Sequence, residues 1–132
     1  PASPEKRLGV ARKILERADG HGIAPEDFVI DCLALTVGAD SHAAWITLDA
    51  MRLVRADLGV NLALGASNVS FGLPDRETIN GVFLAMAIER GLNCPIVDAA
   101  KVGHFIQAAD LALGRDDYAM RYLKAYRKRQ KR

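Results

Sequence analysis

Apolar residues recur along this chain at two periods, one near that of a helix and one too short and dense to be helical, and the two alternate. In "SPEKRLGVARKILERADGHG" the residues Leu8, Ala11, Leu15 and Ala18 share a helical face, Ser3 can cap, Pro4 suits the first helical position, and Gly20 and Gly22 stop the run. After Pro25 the pattern condenses into "FVID", a β-favouring run that ends in a carboxylate. A second helix is predicted from about Ala43, capped by Ser41, with Leu48, Met51, Val54 and Leu58 on one face and Gly59 at its end. "VNLALG" reads as the next strand. The helix after it, from Asp75 to Arg90, has Asp75 as N-cap and carries Ile79, Val82, Phe83, Met86 and Ala87 on one side. Gly91 closes that unit, "CPIVD" supplies a third strand, and a helix bearing Val102, Phe105, Ile106 and Ala109 follows. A last helix is predicted from about Asp116, carrying Ala119, Tyr122, Leu123 and Tyr126.

The predicted strands begin near residues 28, 60 and 94, a repeat that holds one strand, one helix and two loops. Alternation at that period means parallel strands joined by helical crossovers. The strands are short, apolar and hardly alternating, as expected where helices cover one face and a second layer or a barrel interior covers the other. A closed eight-fold barrel and an open doubly wound sheet both satisfy the pattern. Three strands are few for either, since a closed barrel takes about 250 residues. Residues 4–19 also form a helix without the strand it ought to cover. The chain reads either as the carboxyl-terminal half of a barrel or as a piece that pairs with a second copy to bury its open edge.

Composition narrows the class more than the chemistry. With 132 residues, half of them hydrophobic, the chain can bury a sizeable core as one domain. Eighteen basic against sixteen acidic residues leave a net charge of +2, which points neither to nucleic acid nor to a membrane as the main partner. The exception is "KAYRKRQKR", residues 124–132, a basic tail that complements the dipole of the last helix. Cys32 and Cys94 lack metal or redox spacing and read as buried thiols of a reducing compartment. No run approaches the roughly 18 to 20 apolar residues of a membrane span and none resembles a signal peptide, so a cytoplasmic location is expected. His21, His42 and His104 are too scattered for a metal site, and no nucleophile elbow or phosphate-binding glycine loop occurs.

Polar chemistry collects instead where the strands end. Asp31 follows "FVI", Ser67 and Asn68 follow "NLALGA", and Asp98 follows "PIV". The carboxyl ends of parallel strands are the functional rim of a barrel. A carboxylate there is costly to desolvate unless it is paired, hydrogen-bonded or turned to a ligand's N–H groups, and a helix cap or structural ion pair answers that need as well as a ligand does. Arg76, in the first turn of the third helix, can point back across the same rim.

The stretch "GASNVSFGLPDRETINGVFLAMAIERGLNCPIVDAA" resembles the pterin-binding barrel of the methyltetrahydrofolate:corrinoid methyltransferases, and the pterin module of cobalamin-dependent methionine synthase is similar. The resemblance runs from about Phe28 to Ala100 and on through "DLALGRDDY"; its specific core is Ser-Asn-Val-Ser followed by Pro, Arg, Asn and Phe-Leu. Nothing matches the Ser-Arg-Lys segment of dihydropteroate synthase, which shares the barrel. The resemblance implies the carboxyl-terminal half of a (β/α)8 barrel with one extra helix at its end. Asp31 matches the strand-end aspartate that binds the pterin ring, Asn68 the asparagine beside nitrogen-5, Ser67 its neighbour in the pocket, and Arg76 the arginine over the same loop.

The implied reaction moves a methyl group from nitrogen-5 of methyltetrahydrofolate to the cobalt of a corrinoid (cobalamin) carried by a partner protein or domain. The pterin contacts that the family takes from earlier strands lie outside this sequence, and a homodimer is expected. A second reading makes the chain a non-catalytic half-barrel that associates with another copy or with a complementary half.

Overall fold

Hydrophobic side chains on alternate strand residues decide this architecture, because they give the sheet one apolar face for the helices and leave the other uncovered. The computed structural model describes residues 2–131. Strands β1 (Val29–Asp31), β2 (Asn61–Gly65) and β3 (Cys94–Ile96) alternate with helices α1 (Pro4–Asp19), α2 (Ala43–Leu58), α3 (Arg76–Glu89) and α4 (Ala99–Ala112), and α5 (Met120–Gln130) follows. The strands are parallel in the order β1-β2-β3, with Asp31 opposite Ala63, Ala63 opposite Cys94, and Gly65 opposite Ile96. A doubly wound sheet reverses its strand order at a switch point; this one runs in sequence.

Ile30, Leu62 and Leu64 point to the helical side and are buried with Leu48, Met51 and Val54 of α2 and Phe83, Leu84, Ala87 and Ile88 of α3. Val29 and Ile96, on the other side of the pleat, are 49% and 63% exposed. The result is an α/β domain of parallel strands and helical crossovers, layered on one side only, consistent with a partial barrel-like fold.

Local signals account for most of the element ends. The Ser3 hydroxyl accepts the Lys6 N–H at 3.3 Å, Pro4 opens α1, and Gly59 ends α2 with a left-handed φ of 67°. Five expectations need correction. Ser41 does not cap α2; the Asp40 carboxylate accepts the His42 N–H at 2.9 Å, since an Asx turn reaches that donor first. Asp75 stands at the N-cap of α3 in left-handed geometry and makes no capping bond with its side chain. Val82 and Met86 are exposed, because the stripe of α3 that meets the sheet and α4 runs through Phe83, Leu84, Ala87 and Ile88. Cys94 is exposed, as its side chain belongs to the uncovered face of β3, while Cys32 is buried. The last helix begins at Met120 after two left-handed residues, Tyr118 and Ala119, and its Leu123 and Tyr126 stay exposed. Of the basic run at the end, Lys124 to Arg129 lie on this helix and Arg132 lies outside the described residues.

Two features of the packing have measurable consequences. Gly81 sits in the middle of α3 where an added Cβ would enter the ring of Phe105 on α4, whereas a Cβ on Gly103 would meet nothing within 4 Å. Alanine normally improves a helix interior by about 1 kcal/mol over glycine, so Gly103→Ala should preserve or raise the urea midpoint and Gly81→Ala should lower it.

At the start of α5 the Asp116 carboxylate accepts the N–H groups of Arg121 at 2.9 Å and Tyr122 at 2.8 Å. These bonds, with the Arg121 charge, hold it below the usual carboxylate range. A lowered folded value means stabilisation that is complete above the unfolded value and lost as pH falls through the folded one. Amide-exchange protection of Tyr122 should therefore stay level down to about pH 4 and drop below it, while Asp116→Asn should show no such step.

Candidate functional site

The candidate site lies at the carboxyl ends of β1 and β2, where two loops are braced from beneath. Arg7 of α1 is buried and donates through Nη1 to the carbonyls of Cys32 at 2.8 Å and Leu33 at 2.7 Å, with the Thr47 hydroxyl at 3.1 Å. Both carbonyls reach the guanidinium because Leu33 takes a left-handed φ of 64°. Asp31 Oδ1 accepts the Leu33 N–H at 2.7 Å, which closes the turn. The loops after β1 and β2 are then joined: Val37 N–H donates to Val69 O at 2.9 Å and the Thr36 hydroxyl to Phe71 O at 2.7 Å.

The second loop is a single tight turn, Ala66–Ser70, with its own polar network. Ser70 is buried and donates to Asn80 Oδ1 at 2.7 Å. Arg76 donates through Nε to the Ser70 hydroxyl at 3.0 Å and through Nη2 to Ser67 O at 2.9 Å, and its guanidinium stands 5.9 Å from the Phe71 ring centre. Arg76 is thus the strut of the turn. Val69 and Ser70 are buried while Ser67 and Asn68 are exposed.

Asp31 and Asn68 meet the same side of the sheet. Asp31 faces the uncovered side, abreast of Ala63. Gly65 lies two residues further along β2, and the Asn68 amide nitrogen stands 3.3 Å from where a Cβ on Gly65 would be. The missing Cβ lets the carboxamide fold over the strand end onto the uncovered face. Among the described residues nothing hydrogen-bonds that carboxamide, so all of its donor and acceptor capacity is available.

Ser67 and Arg76 belong to a different space, a cavity of about 350 Å³ between α3 and α4 that also takes in Asn80, Asp98 and Lys101. Asp98 behaves as a structural residue: its carboxylate accepts the Ala100 N–H at 3.1 Å at the start of α4 and stands 3.8 Å from Lys101. Burial pushes the Cys32 thiol up to about 11, with the Asp31 charge adding to the rise and Arg7 opposing it, so this thiol stays protonated and unreactive. No group of three metal-ligating side chains occurs among the described residues. No described helix is long and apolar enough to cross a membrane.

A family model described as pterin binding enzyme matches residues 5–98. The chain belongs to the pterin-binding enzyme family. It is 26% identical over 132 residues to the methylcorrinoid:tetrahydrofolate methyltransferase of Eubacterium limosum, covering 96% of this chain and 48% of that protein. It is 36% identical over 106 residues to the methionine synthase of Mycobacterium leprae and 33% to that of Mycobacterium tuberculosis, in each case 74% of this chain and 9% of the synthase. The chain therefore spans about half the length of the first relative and a small part of the other two. Its homology is with corrinoid- and folate-dependent methyltransferases.

Sequence reading missed Arg7 and Thr47 and took Ser70 and Asn80 only as members of the motif, without a role; these four fix the rim without facing it. Arg7 carried no signal beyond a basic residue in the first turns of a helix, beside Lys6. Asn80 and Arg76 fall four apart on α3, a spacing that puts both on the side of the Ser70 turn. Removing the Arg7 guanidinium leaves the buried Cys32 carbonyl and the part-buried Leu33 carbonyl without their charged donor. Arg7→Met should therefore cost about 2 to 3 kcal/mol in urea unfolding, and amide exchange should show the loss first at Leu33.

Proposed function

We propose that this chain is the carboxyl-terminal half of a (β/α)8 barrel that moves a methyl group between nitrogen-5 of tetrahydrofolate and the cobalt of a corrinoid held by a partner protein or domain. What carries the reading is that, in a member of the pterin-binding family, Asp31 and the unengaged carboxamide of Asn68 share the uncovered face at the strand ends. An apolar groove of about 310 Å³ beside β1, lined by Val10, Ile14, Ile30, Leu33 and Val54, has the place and polarity for a preceding strand, which supports the half-barrel.

The residues fit the substrate. The aminopyrimidinone edge of a pterin offers parallel N–H donors, and Asp31 keeps lone pairs for them after Oδ1 has taken the Leu33 N–H. A tertiary amine leaves poorly, so methyl transfer from nitrogen-5 needs positive charge there by protonation or strong hydrogen bonding. Asn68 supplies its carbonyl dipole to that charge. An amide has no useful pKa, so the proton comes from solvent. Ser67 flanks the same turn, and Arg76 acts by holding it. The name of the Eubacterium limosum relative runs from corrinoid to tetrahydrofolate, and by reversibility the same groups serve either direction.

A non-catalytic half-barrel that pairs with a second copy is the other reading, favoured by the exposed Val29 and Ile96 on the uncovered face. The test uses a chain extended upstream to complete the barrel, with methyltetrahydrofolate as ligand and free cob(I)alamin as methyl acceptor. Asn68→Ala should slow transfer about 100-fold with little change in the dissociation constant of methyltetrahydrofolate, and Asp31→Asn should weaken that binding. Equal losses in rate and affinity for Asn68→Ala would remove its part in the chemistry. A completed barrel that binds no pterin, while the chain alone dimerises, would establish the second reading.

A further inference from the structure

Seven of the chain's eighteen basic residues fall between Arg121 and Arg132, and no acidic residue stands among them. The rest of the molecule is net acidic, and five of the seven, Arg121, Lys124, Arg127, Lys128 and Arg129, lie on one helix. That helix, α5, buries none of its residues, and Met120 is 67% exposed. It is nevertheless firmly placed. Asp116 accepts two of its first N–H groups, Arg121 pairs with Asp110 and Asp116 at 3.6 Å each, and Arg129 donates to Gln107 of α4 at 2.9 Å.

The outer side of α5 forms a shallow groove of about 480 Å³ between Met120, Leu123, Lys124, Arg127, Lys128 and Lys131. Among the described residues, none of those four cations has an ion pair or a side-chain hydrogen bond. A helix that presents unpaired cations beside exposed methionine and leucine is complementary to an acidic protein surface with an apolar patch. Phosphate backbones need the cations but not the apolar residues, which favours protein over nucleic acid.

The position of α5 says which protein. The carboxyl end of α5 lies against the amino-terminal part of α4: Lys128 and Arg129 share a cavity with Ala99, Ala100 and His104. Helix α4 starts just beyond β3, at the strand-end rim where Asn68 stands. A macromolecule that brings a methyl acceptor to that rim passes the cationic end of α5.

Resting on the function proposed above, we propose that the outer face of α5 is the docking surface for the acidic flank of the protein that carries the corrinoid. The cations steer the encounter, and Met120 and Leu123, at the amino end of the helix, add an apolar patch. Electrostatic steering of this kind raises association rates by about 10 to 1,000-fold and fades with salt.

The test compares two methyl acceptors with the completed enzyme: free cob(I)alamin, and the cobalamin-carrying protein of the same cells, purified by its corrin absorbance. Lys124→Glu combined with Arg127→Glu should raise KM for the carrier protein about tenfold, leave kcat and the rate with free cob(I)alamin unchanged, and approach wild type in high salt. An unchanged KM for the carrier, or an equal loss with both acceptors, overturns the proposal and leaves the methyltransferase reading intact. No transfer to either acceptor by the unaltered enzyme overturns both. Two further measurements also decide against it: conversion of a dimer to a monomer by the double variant, which makes α5 a contact between copies, and tight binding of a DNA duplex at physiological salt that the variant loses.

Discussion

A parallel sheet is stable in water only when both of its faces are covered, and here helices cover one. That constraint organises everything else in the molecule. It explains why Ile30, Leu62 and Leu64 are buried while their neighbours Val29 and Ile96 are not, and why Cys94 is exposed although its strand is apolar. It also bears on the proposed site. Asp31 and Asn68 belong to the uncovered face, so whatever completes the layer there also closes the site around them. On the function proposed above, the contacts that would bury the apolar residues would also exclude water from the polar pair.

The rim is held by a division of labour among its polar groups. Arg7, Thr47, Ser70, Arg76 and Asn80 commit their hydrogen-bonding capacity to the loops themselves. No buried side-chain polar atom among the described residues is left without a partner. Asn68 makes no such commitment, although it sits in the middle of the most heavily braced turn. The braced turn fixes the backbone that carries this carboxamide, so less orientation is left to be lost when a ligand arrives. Gly65 is part of that arrangement, because a side chain there would crowd the amide from 3.3 Å.

Element order, strand ends and helix stops were legible because each rests on a local rule: Ser3 and Pro4 begin α1, Gly59 ends α2, and apolar runs between glycines make strands. Sidedness was not. Val82 and Met86 fit the same helical period as Phe83 and Ala87, and only the packing of α3 on α4 and the sheet decides which half of a broad apolar stripe goes inside. The strand order, which separates a sequentially wound sheet from a doubly wound one, is likewise a tertiary fact. Asp31 and Asn68 could be read because a polar residue at the end of an apolar strand is conspicuous. Arg7 could not, since its partners are backbone carbonyls 25 and 26 residues away and a carbonyl leaves no mark in a sequence.

The choice of an amide at position 68 follows from its neighbour. A second carboxylate on the same uncovered face as Asp31 would place two like charges on one surface. An amide avoids that conflict, because it offers an oxygen dipole to a developing positive charge without contributing a charge of its own. The dipole's effect is then largest where water is least, on the side of the sheet that this chain leaves to be covered by something else. On the function proposed above, Asn68 and a covering layer are parts of one device: the amide provides direction, and the layer provides the low dielectric that makes direction count.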